Sequence, residues 1–208
     1  MDQRKWQAMK VMAGEDKAAV RRELLLRRRS MGRVEWLEKS AAAQGVLTSI
    51  AEVQLASSVH CYVSMEAERE VSTSGLLEWF CTERKMVYMP YIERGRMVSA
   101  RYRSCHDFTF RKAGPPVPYP LVIADEAVFD VVIVPLVGAD RKGRRLGYGK
   151  GWYDRFFENL STRGIHPLRI GLAFGFQVLE EIPSDPWDQL LDMVVTEIGT
   201  INCMNGRA

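Results

Sequence analysis

The sequence predicts an α/β fold, because strand-like apolar runs alternate with helical stretches. Continuous apolar runs of strand length lie at 131–135, 168–174 and 193–196, and such runs are typical of strands covered on both faces. A helical stretch at 151–160 lies between the first two runs, and a glycine-rich loop leads into it. We therefore expect a Rossmann-like, three-layer sandwich with a largely parallel central sheet and helices on both faces.

The first quarter of the chain predicts helices. Asp16 can cap a helix that carries an apolar stripe and ends in the basic run 27–29. Residues 35–55 form a second amphipathic, alanine-rich stretch of helical character. A third helical run is expected at 72–80, where serine and threonine precede leucine and aromatic side chains.

Two shorter β-prone segments, 58–63 and 86–91, complete the strands that the sequence predicts. The segment 106–120 is rich in proline, glycine and aromatic residues and predicts a loop.

Length and composition exclude several classes of protein. A chain of 208 residues predicts a single domain, 1–208, and 47% hydrophobic with 26% charged residues is ordinary for a globular protein. The net charge of +3 is small for a nucleic-acid binder. The four cysteines form no C-x-x-C pair, so a zinc ribbon or disulfide framework is not expected.

From the sequence we expect neither a secretory signal nor a membrane-spanning segment. No apolar run follows the N-terminus, and the longest one, near 131–137, is far shorter than the ~20 residues that span a bilayer. We expect a cytoplasmic monomer with free thiols that binds small molecules, and neither nucleic acid nor a membrane.

The charges are unevenly distributed. Residues 1–50 and 141–155 each carry a net charge of +5, whereas 176–197 contain six acidic residues and no basic one. Two interpretations fit: these are solvated faces, or they hold a polyphosphate together with a divalent metal.

The most informative stretch is the loop at 140–154. Four of the nine residues at 143–151 are glycine, so backbone N–H groups can turn toward a ligand, and the following helix adds its positive dipole end. Arg145 and Lys150 supply full positive charges there. The spacing matches neither a Walker A loop nor G-x-G-x-x-G. A flexible basic turn is the alternative, but open α/β sheets bind ligands where this loop must lie.

The loop also carries a resemblance to a known family. Residues 145–154, RLGYGKGWYD, closely resemble the signature of the 5-formyltetrahydrofolate cyclo-ligases, also called methenyltetrahydrofolate synthetases. Further segments that are similar to this family, in the family's order, are 17–21, 64–71, 172–177 and the acidic pattern Asp188, Asp192, 196–197.

The resemblance implies an activity. The family makes 5,10-methenyltetrahydrofolate from 5-formyltetrahydrofolate with ATP and a divalent metal, usually Mg²⁺. ATP phosphorylates the formyl oxygen to an iminium phosphate, N10 of the folate attacks the activated carbon, and phosphate leaves. No protein nucleophile is required, because phosphoryl transfer depends mainly on positioning and electrostatics.

The resemblance also implies site residues. Those for ATP are Lys17, Arg21, Arg145, Leu146, Gly147, Tyr148, Gly149, Lys150, Gly151, Trp152 and Tyr153. Among them Lys150 and Arg145 are implied to be catalytic. Those for the folate substrate are Met65, Glu70 and Tyr153, and those for the metal are Asp154 and Asp188. Asp192 is interpreted as structural. An aromatic side chain that stacks on the folate is expected at Phe108 or Phe110.

Each assignment has a plainer alternative. Lys17 and Arg21 share a helical face that could simply be solvated, and Met65 could pack in the core. Trp152 and Tyr153 could serve helix packing, and Asp154 could be a carboxylate satisfied by the helix dipole. Three other functions remain open: a non-catalytic paralogue that binds folate or nucleotide, an RNA-binding module and a sugar-phosphate enzyme.

Overall fold

A computed structural model of the protein describes residues 17–103, 108–109, 116–124 and 127–203. The helices are α1 (Lys17–Arg29), α2 (Arg33–Thr48), α3 (Ala51–Leu55), α4 (Ser74–Thr82) and α5 (Trp152–Thr162), with short 3₁₀ turns at Glu66–Glu68 and Gly175–Gln177. The strands are β1 (Ser58–Cys61), β2 (Met86–Glu93), β3 (Arg96–Tyr102), β4 (Phe108–Thr109), β5 (Val117–Pro118), β6 (Val131–Pro135), β7 (Gly138–Asp140), β8 (Arg145–Leu146), β9 (Leu168–Leu172), β10 (Val178–Leu179), β11 (Met193–Thr196) and β12 (Gly199–Asn202).

Seven of these strands form the central sheet, in the order β12-β11-β9-β6-β1-β2-β3. The five inner strands run parallel, and the edge strands β12 and β3 are each antiparallel to their neighbour. The predicted α/β class and the largely parallel sheet are therefore confirmed.

Helices cover both faces of this sheet, which confirms the predicted layers. Side chains alternate along each strand, so Val131 and Ile133 of β6 pack in a core with α1, α2 and α4. Val132 and Val134 point to the opposite face and pack in a second core with α5. The continuous apolar run of β6 is explained by these two cores.

The structure divides the amphipathic stretch predicted over 35–55 into two helices, α2 and α3. The Thr48 and Ser49 hydroxyls donate to the carbonyls of Gly45 and Val46, at 3.2 and 2.7 Å. Such bonds compete with the helix ladder. Ile50 then takes an extended conformation, with ψ at 126°, and α3 starts anew.

The sequence analysis also missed β3, which forms a hairpin with β2. A two-residue turn at Arg94 and Gly95 connects them, and both residues have positive φ, 47° and 77°. This is the turn geometry that hairpins favour. Part of the loop predicted over 106–120 pairs as β4 and β5.

The predicted helices at 72–80 and 151–160 are confirmed as α4 and α5. Asp16 and Cys105 lie outside the described residues, and no disulfide joins Cys61, Cys81 and Cys203 to one another. No helix in the described ranges is long and apolar enough to cross a membrane.

His60, at the centre of β1, is a buried histidine in an aromatic environment. Its ring lies 5.3 Å from that of Phe129 and 4.9 Å from that of Phe156, between centroids. Neither ring nitrogen has a hydrogen-bond partner among the described residues. Burial lowers the pKa of His60 from 6.5 to about 3, so the ring is neutral in the folded protein.

We expect the stability of the protein to depend on His60 at mildly acidic pH. The unfolded chain takes up a proton near pH 6.5, and the folded protein does not. The contribution of the neutral ring is therefore complete above that pH and is lost as the pH falls toward 3. Between about pH 7.5 and about pH 5.5, the free energy of unfolding of His60→Leu should rise by roughly 1 kcal/mol relative to the parent protein.

Urea unfolding at the two pH values measures this change. The same replacement at the exposed His166 is the matched control, because it removes a histidine that is not buried. A stability difference between His60→Leu and the parent protein that is equal at both pH values would contradict the prediction.

Candidate active site

A cavity of about 980 Å³ lies at the carboxyl ends of β1, β2 and β6. This is the edge of an open α/β sheet at which ligands bind. Its lining includes every residue that the sequence analysis assigned to ATP, folate or metal: Lys17, Arg21, Met65, Glu70, Arg145, Leu146, Gly147, Tyr148, Gly149, Lys150, Gly151, Trp152, Tyr153, Asp154 and Asp188. Segments far apart in the chain thus meet in one place.

A buried carboxylate fixes the start of the glycine loop. Asp140 has no exposed surface. Its side-chain oxygens accept hydrogen bonds from the backbone N–H groups of Lys142, Arg144 and Ile182, at 2.9, 3.0 and 2.9 Å, and from Nε of Arg144 at 2.6 Å. These bonds close the β7–β8 hairpin, so Arg145 follows at a fixed position.

Two glycines shape the loop beyond the hairpin. Gly149 has a φ of 86°, in the left-handed region that favours glycine, and a Cβ there would lie 3.5 Å from the Arg21 guanidinium. Gly151 has a φ of 62° and is the N-cap residue of α5, where it offers no side chain to the helix. The N-terminus of α5 therefore opens on the cavity next to the loop.

Arg145 presents a nearly buried guanidinium, with 6% of its side chain exposed. Its Nη2 donates to Oδ1 of Asp154 at 2.7 Å, and its Cζ lies 5.6 Å from the centroid of the Tyr153 ring. Nε and Nη1 are buried and have no partner among the described residues. Burial lowers the pKa of Arg145, and the charge of Asp154 opposes that effect. A buried cation with unused donors favours an anionic ligand.

Lys17 lies at the start of α1 and is held by two aspartates. Its Nζ donates to Oδ2 of Asp185 and to Oδ2 of Asp188, both at 2.6 Å. Burial alone would raise the pKa of Asp188, but the bonds from Lys17 and from the Asp185 N–H outweigh it and lower that pKa. The predicted helical face of Lys17 and Arg21 is therefore not a solvated one.

The other cations differ in how firmly they are held. Nε of Arg21 donates to the carbonyl oxygen of Gly147 at 2.7 Å, which ties α1 to the loop. Lys150 is exposed, and its ammonium group has no partner among the described residues. Arginine is thus used where the geometry is fixed, and lysine is present as a mobile point charge.

Glu70 forms the opposite wall of the cavity and is 3% exposed. Its Oε2 accepts from the backbone N–H of Met65 at 2.7 Å, and its Oε1 accepts from the hydroxyl of Tyr148 at 2.9 Å. Burial raises the pKa of Glu70, although the Met65 N–H, the Arg28 charge and the Tyr148 hydroxyl oppose the rise. Met65 is half-buried and lines the cavity, so core packing does not account for it.

The helix-packing alternative holds in part for Tyr153. Its ring packs against Phe156 and Phe157, with centroids 6.3 and 6.0 Å away, and it also lines the cavity. Burial raises the pKa of its hydroxyl well above the ordinary value. That hydroxyl has no hydrogen-bond partner among the described residues. Trp152 likewise lines the cavity and lies 4.9 Å from the Arg155 guanidinium.

The two proposed metal ligands are on the same side of the cavity. Oδ1 of Asp154 accepts from Arg145 and also from the backbone N–H of Gln189, at 3.2 Å, the residue after Asp188. In the described part of the chain, no three His, Cys, Asp or Glu side chains are grouped as a metal site. Mg²⁺ needs only one or two carboxylates when phosphate oxygens and waters complete its shell. The two aspartates fit an ion of that kind.

Two further expectations concern residues around the site. Asp192 is buried and accepts from the backbone N–H of Arg169 at 2.8 Å, which agrees with a structural role. Phe108 stacks on Tyr102, with centroids 5.4 Å apart, and it is not part of the cavity lining. Phe110 lies outside the described residues.

Sequence reasoning missed Arg28 and Asp185. Arg28 follows Val20 and Leu24 at helical spacing on the buried face of α1, and that spacing was the available signal. Asp185 lies three residues before Asp188 in the acidic stretch, but nothing in the sequence indicated that Lys17 contacts it.

Comparisons with known proteins identify the family of this chain. The model of the 5-formyltetrahydrofolate cyclo-ligase family matches residues 13–197. The 5-formyltetrahydrofolate cyclo-ligase of Haemophilus influenzae is 29% identical over 169 residues, which are 76% of this chain and 88% of that protein. The Escherichia coli K12 protein of the same name is 29% identical over 176 residues, 82% of this chain and 94% of that protein.

Solved structures give the same result. The NMR structure of Aquifex aeolicus 5,10-methenyltetrahydrofolate synthetase superposes with a TM-score of 0.79 at 28% identity, covering 92% of this chain and 95% of that one. The structure of a 5,10-methenyltetrahydrofolate synthetase from Mycoplasma pneumoniae has a TM-score of 0.70 at 20% identity, which supports the fold. The family match spans most of the chain and includes every residue of the cavity wall, and the chain therefore belongs to the 5-formyltetrahydrofolate cyclo-ligase family, a family of ligases.

Proposed function

We propose that the protein converts 5-formyltetrahydrofolate to 5,10-methenyltetrahydrofolate, with ATP and Mg²⁺, and releases ADP and phosphate. Membership of the cyclo-ligase family supports the folate conversion. The observation that carries the ATP requirement is the buried Arg145 guanidinium in the cavity, whose Nε and Nη1 have no partner among the described residues. An anionic group is the ligand that would satisfy them.

The nucleotide phosphates are proposed to lie along the loop. Arg145 is nearly buried and would hold them in a fixed geometry. The loop backbone could approach the phosphates closely at Gly147, Gly149 and Gly151, because glycine carries no Cβ. Lys17 and Arg21 would contact the nucleotide from α1, which lines the same cavity. Lys150 is exposed and mobile, and it can follow the phosphoryl group during transfer.

The folate is proposed to lie against Met65, Glu70 and Tyr153. The Glu70 carboxylate can accept hydrogen bonds from N–H groups of a pterin-like ring, and a methionine side chain packs well on a flat heterocycle. The cavity volume of about 980 Å³ is at the upper end of the range for small-molecule sites, which suits two substrates bound side by side.

Asp154 and Asp188 are the residues that would hold Mg²⁺. When bound with the nucleotide, the ion would neutralise charge on the phosphate oxygens during transfer. Both carboxylates already have cationic partners, Arg145 and Lys17. In the proposed complex Arg145 would meet the phosphates with its unused Nε and Nη1, while Lys17 would shift its contact from Asp188 toward the phosphates as the carboxylates accept the ion.

In the proposed reaction the side chains position the substrates and stabilise charge, and none of them forms a covalent bond to a substrate. The formyl oxygen attacks the γ-phosphorus, ADP leaves, and the iminium phosphate forms. N10 then attacks the formyl carbon, loses its proton, and inorganic phosphate leaves as the ring closes. Arg145 and Lys150 stabilise the charge on the transferring group, while Glu70 and Tyr153 keep N10 and the formyl group in reach.

The first test is turnover itself. Purified protein with 5-formyltetrahydrofolate, ATP and Mg²⁺ should produce the near-ultraviolet absorbance of the methenyl product, and omission of ATP or Mg²⁺ should abolish it. Absence of product with calorimetric binding of folate or ATP would instead favour a non-catalytic binding protein. Absence of binding to both would overturn the proposal.

Lys150→Ala should lower kcat at least about 100-fold, because the transferring phosphoryl group loses a positive charge. The fold should remain intact, since Lys150 is exposed. Steady-state assay and circular dichroism measure the two effects. The control is Lys142→Ala, an exposed lysine of the neighbouring β7–β8 hairpin outside the cavity lining, and this variant should keep the parent kcat. Near-normal turnover of Lys150→Ala would remove the catalytic role of this lysine.

Asp188→Asn should raise the Mg²⁺ concentration needed for half-maximal activity at least about tenfold, because a charged ligand becomes a neutral one. Asp185→Asn is the matched control, because both carboxylates accept from Lys17 at 2.6 Å and only Asp188 is proposed to contact the metal. Titration of Mg²⁺ at saturating ATP separates the two variants. Equal Mg²⁺ requirements would argue against Asp188 as a ligand.

A further inference from the structure

Arg28 is a buried arginine of the amphipathic helix α1, and only 1% of it is exposed. Its Nε donates to the carbonyl oxygen of Glu68 at 2.7 Å, and its Nη1 donates to that of Leu136 at 3.0 Å. Its Nη2 donates to the hydroxyl oxygen of Tyr148. All three nitrogens are thus committed, so the group is fixed relative to the chain after β6 and to the segment before Glu70.

The hydroxyl of Tyr148 connects this anchor to Glu70. It accepts from Arg28 and donates to Oε1 of Glu70 at 2.9 Å, and Oε2 of Glu70 accepts from the Met65 N–H at 2.7 Å. Each carboxylate oxygen therefore has a donor of its own. A carboxylate bound at both oxygens cannot rotate freely, and its remaining lone pairs point in fixed directions.

Tyr148, which donates to Glu70, lies in the same loop that Arg21 contacts. The preceding residue, Gly147, accepts from Nε of Arg21 at 2.7 Å. Arg21 and Arg28 are seven residues apart on α1, about two helical turns, and they contact the same stretch of loop. Any ligand that changes the loop at Gly147 or Gly149 therefore acts on a residue whose hydroxyl touches Glu70.

We propose that Tyr148 is a positioning residue whose hydroxyl orients the Glu70 carboxylate for the folate and couples the folate side of the cavity to the nucleotide side, with Arg28 as its fixed anchor. The inference rests on the proposed function, since it assigns the folate to Glu70 and the nucleotide to the loop. It gives Tyr148 a role toward the folate in addition to its contact with the nucleotide.

The coupling follows from physical linkage. The Arg28–Tyr148–Glu70 bonds are already formed without a ligand, and a nucleotide bound along the loop would restrict the remaining motion of the Tyr148 ring, so the oriented Glu70 carboxylate is more highly populated before folate arrives. Folate binding is then tighter in the presence of nucleotide, and by linkage nucleotide binding is tighter by the same factor in the presence of folate. Removal of the hydroxyl leaves Oε1 of Glu70 without its donor and frees the carboxylate to turn.

Tyr148→Phe tests this directly, because only one oxygen is lost. Calorimetry gives the Kd of 5-formyltetrahydrofolate with and without a non-hydrolysable ATP analogue and Mg²⁺. In the parent protein the analogue should tighten folate binding at least about fivefold. In Tyr148→Phe that factor should fall close to one and folate binding should weaken about tenfold, which should exceed any weakening in the binding of the analogue alone.

Tyr88→Phe is the matched control. Tyr88 is also a buried tyrosine, its hydroxyl lies 3.9 Å from the sulfur of Met86, and it is outside the cavity lining. The coupling factor of this variant should equal that of the parent protein. A loss of coupling in Tyr88→Phe as well would show a general effect of removing a buried hydroxyl and would overturn the proposal.

Arg28→Lys provides a second test, because it keeps the positive charge and removes the planar guanidinium that donates to three acceptors at once. If Arg28 acts through Tyr148, the two replacements together should weaken folate binding no more than the larger single effect. Additive effects would overturn the role of Arg28 as the anchor. A Tyr148→Phe variant with unchanged coupling, or with a loss in analogue binding alone, would overturn the role of Tyr148.

These outcomes are distinct from failure of the proposed function. A parent protein that binds neither folate nor the analogue would refute both the function and the inference. A parent protein that binds both ligands and turns over, with coupling retained in Tyr148→Phe, would leave the function standing and refute the inference alone.

Discussion

The buried carboxylate of Asp140 is the interaction on which the cavity depends. Four donors from the β7–β8 hairpin and from Ile182 satisfy its two oxygens, and no surface remains exposed. A buried charge that lost these partners would be costly, so the hairpin is restricted to one arrangement. Arg145 is the first residue of β8, the second strand of that hairpin. The position of its guanidinium, and with it the wall formed by Asp154 and Tyr153, follows from a side chain that does not line the cavity.

The parts of the fold that the sequence predicted are those with a local signal. β6 is a continuous apolar run because a core covers each of its faces, and α5 follows a glycine-rich loop and buries Phe156, Phe157 and Leu160 at helical spacing. β3 was missed because its residues alternate weakly and its place depends on pairing with β2. The break between α2 and α3 depends on two hydroxyl groups that bond to the backbone, an effect that periodicity does not register.

For the site, motif similarity named residues but could not supply their contacts. Lys17 and Asp188 were assigned to different ligands, yet they form an ion pair across 171 positions of sequence. Tyr148 and Glu70 are 78 positions apart, and only the fold shows that the hydroxyl meets the carboxylate. Arg28 carried a signal in its spacing, since a charged residue continued the apolar stripe of α1. Contacts of this kind arise where several chain segments converge at a sheet edge, and they are not encoded within any single segment.

The ion pairs of Lys17 and Arg145 have a consequence for selectivity. Each cation that faces the cavity from these positions already has an aspartate beside it. A small anion that arrived alone at Lys17 would have to displace a carboxylate, and one at the unused Nε and Nη1 of Arg145 would lie beside the negative charge of Asp154, so it would gain little. A polyanion accompanied by its own divalent cation can exchange partners on both sides at once, with the anion meeting the basic groups and the cation meeting the aspartates. The cavity thereby discriminates by the pairing of charges in its ligand rather than by the ligand's net charge.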